Sequence, residues 1–397
     1  MVFILSGFLK GVDPLGFAYK LGDYFRAFGL DFMEPLALPL SFVMCAAELF
    51  IGLLLLYNTL PRFGAWAVLL FMAFFTPLTL YIAIFNPVTD CGCFGDAFII
   101  SNWETFLKNV PLFGMAIILF YHRRKLDSGL SPAQNFGAAS FLLVVSFLPS
   151  VHGYTQLPLM DFRPYSIGSN IPYNMSTPPG APVDVYKTLL YYQKDGVVQE
   201  FGEDNFPWQD TTWKFVESKS ILLEQGYVPP ITSFVITDLD GMDVTEEIIH
   251  AQGYYLLAVS YRLDRSNPRV VARLNEIYFK AREQGIAFAS VTASSYDAIE
   301  QFVGQTGAAY PFLQADEVTL KTIIRSNPGL VLLKGGTVIG LWHYNNLPDA
   351  SHFEGNLEAE QFTLARRSTE RAWALGLALL LVTLMLGRSA VRRGGGA

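Results

Sequence analysis

Residues 36–57 read LALPLSFVMCAAELFIGLLLLY, a long apolar stretch interrupted by a single acidic residue, Glu48. A helix that crosses a bilayer needs about 20 mostly apolar residues, because no backbone polar group can remain unpaired in lipid. The stretch therefore predicts a membrane-spanning helix, and it indicates that the N-terminal part of the chain is a helical membrane domain.

Other parts of the chain repeat this apolar pattern. The stretches long enough to span a bilayer are 63–85, 103–121, 135–151 and 371–387. The stretch 135–151 is short and would need some local thinning of the bilayer. The sequence thus predicts spans at both ends of the chain, with a long polar segment between them.

The first residues are harder to assign. Only MVFILSGFL precedes Lys10, and this is too short to cross a bilayer. Two interpretations stay open. Either Met1 lies inside a longer natural helix, which gives six spans with residues 10–35 outside the cytoplasm, or the segment is short and only partly inserted.

The positive charges that flank the spans predict the orientation. The cluster His122-Arg123-Arg124-Lys125 follows the span 103–121, and Arg388, Arg392 and Arg393 follow the last one. Lys and Arg are enriched on the cytoplasmic side of membrane proteins. We therefore expect a multi-pass protein of the inner (cytoplasmic) membrane, with residues 152–370 and the loop 86–102 on the periplasmic side.

Composition agrees with a chain that is partly in the membrane. Hydrophobic residues make up 51% and charged residues 16%, against roughly 25% charged residues in average soluble domains. The net charge of −7 gives no indication of a nucleic-acid partner. The histidines are scattered without metal-ligand spacing, so we expect no metal site.

The loop 86–96, NPVTDCGCFGD, holds two of the three cysteines, Cys91 and Cys93. An extracytoplasmic loop faces an oxidising compartment. Three interpretations stay open: a redox-active pair, a structural disulfide or inert turn, and a metal or cluster ligand set, although two thiolates alone are an incomplete metal site. Asp90 and Asp96 are expected to raise the thiol pKa values, and no neighbouring cation in the sequence opposes them.

Polar or small residues inside the apolar spans are the second unusual feature. An acid at mid-bilayer depth is costly, so Glu48 is a functional-site hypothesis, with a structural hydrogen bond between helices as the alternative. Gly52, one turn later, would allow another helix to approach closely. Cys45 is expected to be a buried small residue, unless the bundle brings it to the cysteine pair.

Three segments together resemble the DoxX/MauE superfamily of four-helix membrane proteins, nearest the MauE (methylamine utilisation) branch. They are FILSGFLKGVDPLGFAYKLGDYF, AAELFIGLLLL and DCGCFGDAFIISNWETFLKNV, within residues 1–125. The resemblance implies a four-helix transmembrane bundle over 1–125. The apolar stretch that follows predicts an additional transmembrane helix at 126–151. The resemblance also implies a role in disulfide formation beside a thioredoxin-like partner while a periplasmic dehydrogenase matures. It marks Cys91 and Cys93 as candidate catalytic redox thiols and Glu48 as the intramembrane acid.

Residues 152–229 are predicted to be an external linker and β-hairpin region. Residues 152–185 are rich in proline and glycine and are expected to run as an extended linker along the membrane. Residues 185–201 form two β-rich runs around Asp195-Gly196, which predicts a hairpin. Residues 205–223 are expected to be less regular.

Residues 230–348 show a sharper alternation of strands and helices. A short hairpin turns at Asp240-Gly241, and the apolar runs GYYLLAVSYRL and IAFASVTA predict buried strands. Helices are predicted at 268–284 and 296–306, and a final strand pair turns at Gly335-Gly336. This order predicts a three-layer α/β domain, joined by a connector at 349–370 to the C-terminal transmembrane helix at 371–387.

The α/β segment resembles the thioredoxin-like superfamily, nearest the membrane-tethered thiol reductases and peroxiredoxin-like proteins. Asn327-Pro328 falls where that superfamily places its cis-proline. The superfamily carries Cys-x-x-Cys after the first buried strand, but here the chain reads Arg262-Leu263-Asp264-Arg265, and no cysteine follows Cys93. The resemblance implies a substrate groove without thiol chemistry, lined by Arg262, Asp264, Arg265, Asn327 and Pro328.

Two functional hypotheses follow for this multi-domain membrane protein. In the first, Cys91 and Cys93 take part in thiol-disulfide exchange with a membrane quinone, or with thiols of envelope proteins or thioredoxin-like partners, while the cysteine-free domain binds the substrate. In the second, the chain is a non-catalytic membrane-anchored scaffold of the cell envelope. The cysteine-free domain is then retained for binding, packing or assembly. Transport is disfavoured, because among the spans only Glu48 stands out as polar.

Overall fold

The computed structural model of the chain describes residues 1–88, 90–354 and 357. Contacts divide the chain into two compact units, one formed by Met1–Ser169 with Val235–Ala397 and the other by Asn170–Phe234. The C-terminal span predicted at 371–387, its flanking arginines and most of the connector lie outside the described residues.

The N-terminal part of the first unit is helical. Its helices are α1 (Val2–Val12), α2 (Pro14–Ala27), α3 (Ala37–Leu56), α4 (Pro61–Phe85), α5 (Asn102–Tyr121) and α6 (Pro132–Thr155). Within the described residues, four helices are each long and apolar enough to cross a membrane. They are α4, α5, α6 and α3, the last taken together with the short 3₁₀ helix Asp31–Leu36 before it. These helices confirm the spans predicted before residue 152, and the chain is an integral membrane protein.

Helix α6 is longer than the predicted stretch 135–151. Ser131 caps its first turn and forms a capping box with Gln134, so the helix begins before the apolar run does. It continues to Thr155, beyond the last apolar residue of the predicted stretch. The added turns give 24 residues, enough to cross a bilayer without local thinning.

Helices α1 and α2 form a sharply bent pair. The two axes differ by 97°, and the break falls at Asp13, whose carboxylate accepts a hydrogen bond from the Gly16 amide and so caps α2. Pro14 at the first position of α2 suits a helix start and cannot continue α1. Residues 14–27 are therefore helical, and α1 with α2 qualifies as a span only if the bent pair counts as one.

Helices α1 and α3 cross at very short range, and glycines make this possible. A Cβ atom added to Gly7 would lie 2.5 Å from the backbone nitrogen of Leu49, and one added to Gly52 would lie 2.7 Å from an Ile4 side-chain carbon. Neither site has room for a larger residue. The close approach expected at Gly52 is thus present, and α1 is the helix that approaches.

The second unit contains a short helix and a small sheet. Its elements are α7 (Ile171–Met175), β1 (Val185–Lys194), β2 (Val197–Gly202) and β3 (Lys214–Glu224), with sheet order β2-β1-β3. Asp195 and Gly196 both have positive φ, which confirms the predicted hairpin turn. The less regular region expected at 205–223 instead contains β3. Every residue of β3 is exposed, so no apolar alternation marked it in the sequence.

The rest of the first unit is a mixed α/β domain. Its elements are β4 (Ile236–Thr237), α8 (Thr245–Ile249), β5 (Tyr254–Ser260), α9 (Val271–Glu283), β6 (Ala287–Thr292), α10 (Tyr296–Thr306), β7 (Phe312–Ala315), α11 (Glu317–Ile323), β8 (Gly329–Lys334) and β9 (Thr337–His343). Most predicted elements of 230–348 are present, while α8, β7 and α11 were not predicted.

The sheet order identifies the fold of this domain. Its six strands run β4-β7-β6-β5-β8-β9, with β5 parallel to β6 and antiparallel to β8. A cis peptide bond joins Asn327 to Pro328 directly before β8. The core packs β5, β6, β8 and β9 against the apolar faces of α9 and α10. This arrangement confirms the thioredoxin-like fold.

The segment before Asn170 is built into this domain. The amide of Gly168 donates to the Val338 carbonyl at 2.8 Å, and the amide of Val338 donates to the Ser169 carbonyl at 2.9 Å. Arg163 is buried, pairs with Asp161 at 2.6 Å and donates to a carbonyl at the end of α11. The linker expected here is thus fixed along the edge of β9.

Candidate functional site

The cysteine pair lies in the turn between α4 and α5. The sulfur atoms of Cys91 and Cys93 are 2.6 Å apart, and both residues are free thiols in this structure. Gly92 and Gly95 have φ values of 63° and 58°, a backbone conformation that glycine adopts without strain. The turn therefore holds two thiols in direct contact.

Side chains of α1 and α2 hold this turn in place. Ser6 donates a hydrogen bond of 2.6 Å to the Cys93 carbonyl, and Tyr24 donates one of 2.9 Å to the Cys91 carbonyl. Lys20 forms an ion pair with Asp90 at 2.6 Å. Because these groups bind the carbonyls and the flanking acid, the position of the thiols is fixed by helices distant in sequence.

The fold supplies the cations that the local sequence lacks. The pKa of Cys93 is lowered to about 7, chiefly by its hydrogen bond with the Cys91 side chain, and Lys108 and Lys10 lower it further against the effect of burial. The pKa of Cys91 is raised by the same hydrogen bond and by burial. Lys10 and Lys108 are thus the cations that the residues next to the cysteines in sequence do not provide.

Glu48 is paired inside the bundle. It forms a buried ion pair with Lys10, which is 7% exposed as is Glu48 itself. Breaking such a pair leaves one charge uncompensated in a medium of low dielectric constant. Lys10 was not predicted as a site residue, because it marked only the end of a short apolar run.

Cys45 is fully buried, with no exposed surface, and packs in an apolar cluster with residues of α2. A Cβ atom on Gly11 would lie 3.8 Å from the Cys45 Cβ, so this cysteine faces α1. It thus matches the expectation of a small buried residue.

A cavity of about 270 Å³ adjoins the cysteine pair, between α1, α2, α3, α4 and α5. Aromatic and aliphatic side chains form most of its wall. Its polar lining includes Cys91, Cys93, Lys10, Glu48, Lys108 and Asn109. Asn109 also donates to the hydroxyl of Thr79 at 3.2 Å, within the wall. The thiols therefore border a mainly apolar space with a few polar groups.

Arg325 fastens the thioredoxin-like domain to the membrane helices. It is 4% exposed, and its Nε lies 3.1 and 2.8 Å from the two carboxylate oxygens of Asp13. Its Nη2 lies 3.3 Å from Asp96 in the cysteine turn, and its Nη1 donates to the Lys321 carbonyl. The contact joins the loop before β8 to the corner between α1 and α2.

The end of β5 reaches the same helix corner. Lys321 lies over the ring of Tyr19 in α2 at 4.8 Å and over the ring of Tyr261, directly after β5, at 5.7 Å. Arg325 lies over Tyr19 at 5.3 Å. The face of the domain where thioredoxins carry their cysteines is therefore turned towards α2.

The structure brings most of the predicted groove residues together. Arg262 and Asp264 form a two-point ion pair, with distances of 3.0 and 2.7 Å, and the Asn327 amide donates to the Arg262 carbonyl at 2.8 Å. Asn327 and Pro328 are buried, whereas Asp264 and Arg265 are exposed. The accessible part of the groove is therefore its charged rim.

The sequence comparisons agree with this architecture. Residues 1–122 match the family model of the methylamine utilisation protein MauE. We name this N-terminal third the MauE domain after the family that it resembles. Residues 186–225, which span β1 to β3, match a domain of unknown function (DUF8463). No curated protein matches this sequence.

Solved structures of thiol-active proteins resemble the part beyond the MauE domain. A secreted Mycobacterium tuberculosis disulfide oxidoreductase homologous to Escherichia coli DsbE is 16% identical, with a TM-score of 0.24, and the match covers 33% of this chain and 95% of that one. Peroxiredoxin Q of Xanthomonas campestris is 14% identical, with a TM-score of 0.23, over 34% of this chain and 91% of that one. The strand order, and not these likenesses, defines the fold.

Proposed function

We propose that the protein is a membrane thiol-disulfide redox protein in which Cys91 and Cys93 are the exchanging pair. The observation that carries this proposal is the contact between the two thiols, in a turn that Ser6, Tyr24 and Lys20 hold beside a cavity of the MauE domain. A thiol with a lowered pKa beside one with a raised pKa suits a nucleophile and its resolving partner.

In the proposed exchange, the substrate is oxidised and the cysteine pair is reduced. In the oxidised protein, a substrate thiolate attacks the Cys91–Cys93 disulfide and forms a mixed disulfide with one of the two cysteines. A second substrate thiolate then displaces that cysteine, so the substrate gains a disulfide and the protein regains two thiols. Two electrons pass from substrate to protein. With the positive-inside orientation, the substrates are proteins of the cell envelope.

In this proposal the thioredoxin-like domain is a cap and binding platform without redox chemistry. Its cis-proline loop is fixed to the MauE domain through Arg325, and its exposed rim at Arg262, Asp264 and Arg265 is free to contact a polar peptide segment.

Trapping mixed disulfides in intact membranes tests the proposal. With Cys91→Ser, we expect the Cys93 thiolate to run the exchange in reverse: it attacks a disulfide of an envelope protein, bonds to one of the two substrate sulfurs and releases the other as a thiolate. This mixed disulfide should accumulate until a reductant releases it, because the resolving thiol is missing. Cys45→Ser is the matched control, since Cys45 is buried outside the pair, and it should behave like the wild type. If neither single-cysteine variant of the pair forms adducts and the thiol state of the envelope is unchanged, the proposal is wrong.

One observation favours a second candidate, a non-catalytic scaffold. Arg262-Leu263-Asp264-Arg265 stands where thioredoxins have Cys-x-x-Cys, and no cysteine follows Cys93. Co-purification of envelope proteins that survives replacement of both Cys91 and Cys93 by serine, with no change in envelope thiols, would support the scaffold.

A further inference from the structure

We infer that the cavity beside the cysteine pair binds an isoprenoid quinone, which accepts the electrons of Cys91 and Cys93. The inference rests on the proposed function, because it names the electron acceptor of that same pair. A dithiol that borders a cavity between membrane helices can pass its electrons to a two-electron acceptor that dissolves in lipid, and quinones are such acceptors.

The size and lining of the cavity fit a quinone head group. Its volume of about 270 Å³ lies just below the range of roughly 300–1,000 Å³ that is usual for small-molecule pockets. The wall includes Phe71, Met72, Phe75 and Leu112. Flat aromatic and flexible aliphatic side chains pack well on both faces of a planar ring.

The cavity is accessible from the lipid-facing surface. Phe74 and Leu30 both line it, and they are 63% and 36% exposed. Since α4 spans the membrane, an exposed Phe74 contacts lipid rather than water. A ligand with a long isoprenoid tail can therefore place its ring inside and leave its tail in the bilayer.

The lining of the cavity also carries hydrogen-bond donors for the oxygens of a quinone. Lys10, Lys108 and Asn109 line the same cavity as the thiols, and each carries a donor that suits a quinone oxygen. Lys10 already pairs with Glu48 and Asn109 with Thr79, and a quinone oxygen adds an acceptor for their remaining N–H groups that an acyl chain of a phospholipid does not have. The combination of donors and thiols therefore favours a quinone over lipid.

The redox step balances without another reactant. The Cys93 thiolate and the Cys91 thiol together lose two electrons as the S–S bond forms between them. The quinone gains these two electrons and two protons. One proton comes from the Cys91 thiol, and the surroundings supply the other, in place of the one that Cys93 released when it became a thiolate. The products are one disulfide and one quinol.

The test uses the full-length protein in lipid nanodiscs with ubiquinone-1 as the probe. Met44 lines the cavity on α3, while the adjacent Val43 is 55% exposed on the outside of the same helix. Met44→Trp should fill the cavity, and Val43→Trp is the matched control that adds the same side chain outside it. Leu112→Trp, on α5, is a second filling variant in case the first does not fold.

Reduced wild-type protein should convert about one ubiquinone-1 per chain to quinol, while mass-shift labelling shows the loss of two thiols. Met44→Trp or Leu112→Trp should lower the rate of quinol formation by at least about tenfold, because the added side chain fills the cavity and excludes the ring. Val43→Trp should form quinol at the wild-type rate. Ubiquinone-1 should still raise the unfolding temperature of the Cys91→Ser/Cys93→Ser variant, since the cavity remains.

The outcomes separate this inference from the proposed function. If glutathione disulfide oxidises the pair but ubiquinone-1 neither stabilises nor oxidises the protein, the quinone inference is wrong and the proposed function stands. If Val43→Trp impairs the reaction as much as the cavity variants, the quinone does not use this cavity. If neither oxidant reacts with the pair, the proposed function itself fails.

Discussion

Arg325 and Asp13 form a buried ion pair although 312 positions separate them in the chain. Arg325 directly precedes the cis-proline loop of the thioredoxin-like domain, and Asp13 caps α2, the second helix of the bent pair. Arg325 also reaches Asp96 in the cysteine turn. One arginine therefore connects the thioredoxin-like domain, the corner between α1 and α2, and the turn that carries the thiols.

Loss of this arginine should weaken the contact between the thioredoxin-like domain and the membrane helices. Arg325→Ala leaves Asp13 without its partner, and breaking a buried ion pair typically costs about 3–5 kcal/mol. We expect a clear fall in the unfolding temperature and faster proteolysis of the loop before β8. Arg262→Ala is the matched control, since the exposed pair with Asp264 is worth about 0–1 kcal/mol. Equal stability of the two variants would contradict the structural role of Arg325.

The buried pair of Lys10 and Glu48 should behave as a unit. Lys10→Met leaves the Glu48 carboxyl unpaired, and Glu48→Gln leaves the Lys10 ammonium unpaired, so each single change should lower the unfolding temperature strongly. The double variant should be more stable than the sum of the single losses predicts. Thermal unfolding of all four proteins in nanodiscs measures this coupling. Strict additivity would show that the two residues do not form a pair.

The crossing of α1 and α3 should not tolerate even a methyl group. Gly7→Ala places a Cβ atom against the backbone of Leu49, so the helices must separate, and Ser6 and Lys10 move with α1. We expect a lower unfolding temperature and slower reaction of the cysteine pair. Gly137→Ala on α6 is the control, because a Cβ atom there meets nothing within 4 Å. A Gly7→Ala protein as stable as Gly137→Ala would contradict the crossing.

The reaction of Cys93 with an alkylating reagent should depend on pH around neutrality. Its pKa is lowered to about 7, and the thiolate is the reactive form, so the rate should be low below that pH and level off above it. Cys91→Ala removes the hydrogen bond that stabilises the thiolate, so the pKa should rise and the rate at pH 7 should fall by roughly tenfold. Cys91→Ser keeps a donor and should lie between the two. A midpoint near 9 in the otherwise unchanged protein would contradict this environment.

Local pattern was enough to predict much of the fold. Apolar length defined the spans before residue 152, and the alternation of buried strands with amphipathic helices defined the thioredoxin-like core. Strand β3 was missed because all of its residues are exposed. The N-terminal helices stayed uncertain because the 97° bend at Asp13 depends on packing and not on local pattern.

The candidate site was only partly predictable. The spacing of Cys91 and Cys93 and the depth of Glu48 are visible in the sequence. Their partners, Ser6, Lys10, Tyr24 and Lys108, come from three other helices, and only tertiary structure brings them to the turn. Lys10 has one signal in the sequence, a charge beside an apolar run, but that run is too short to cross a bilayer.

If Cys91 and Cys93 exchange two electrons as a pair, a redox titration of the full-length protein in glutathione buffers will show it, with mass-shift labelling to count free thiols. The two thiols should disappear together in one two-electron step while Cys45 stays reduced. Thiols at 91 and 93 that remain free in oxidised glutathione, or that react singly without a bond between them, would contradict it.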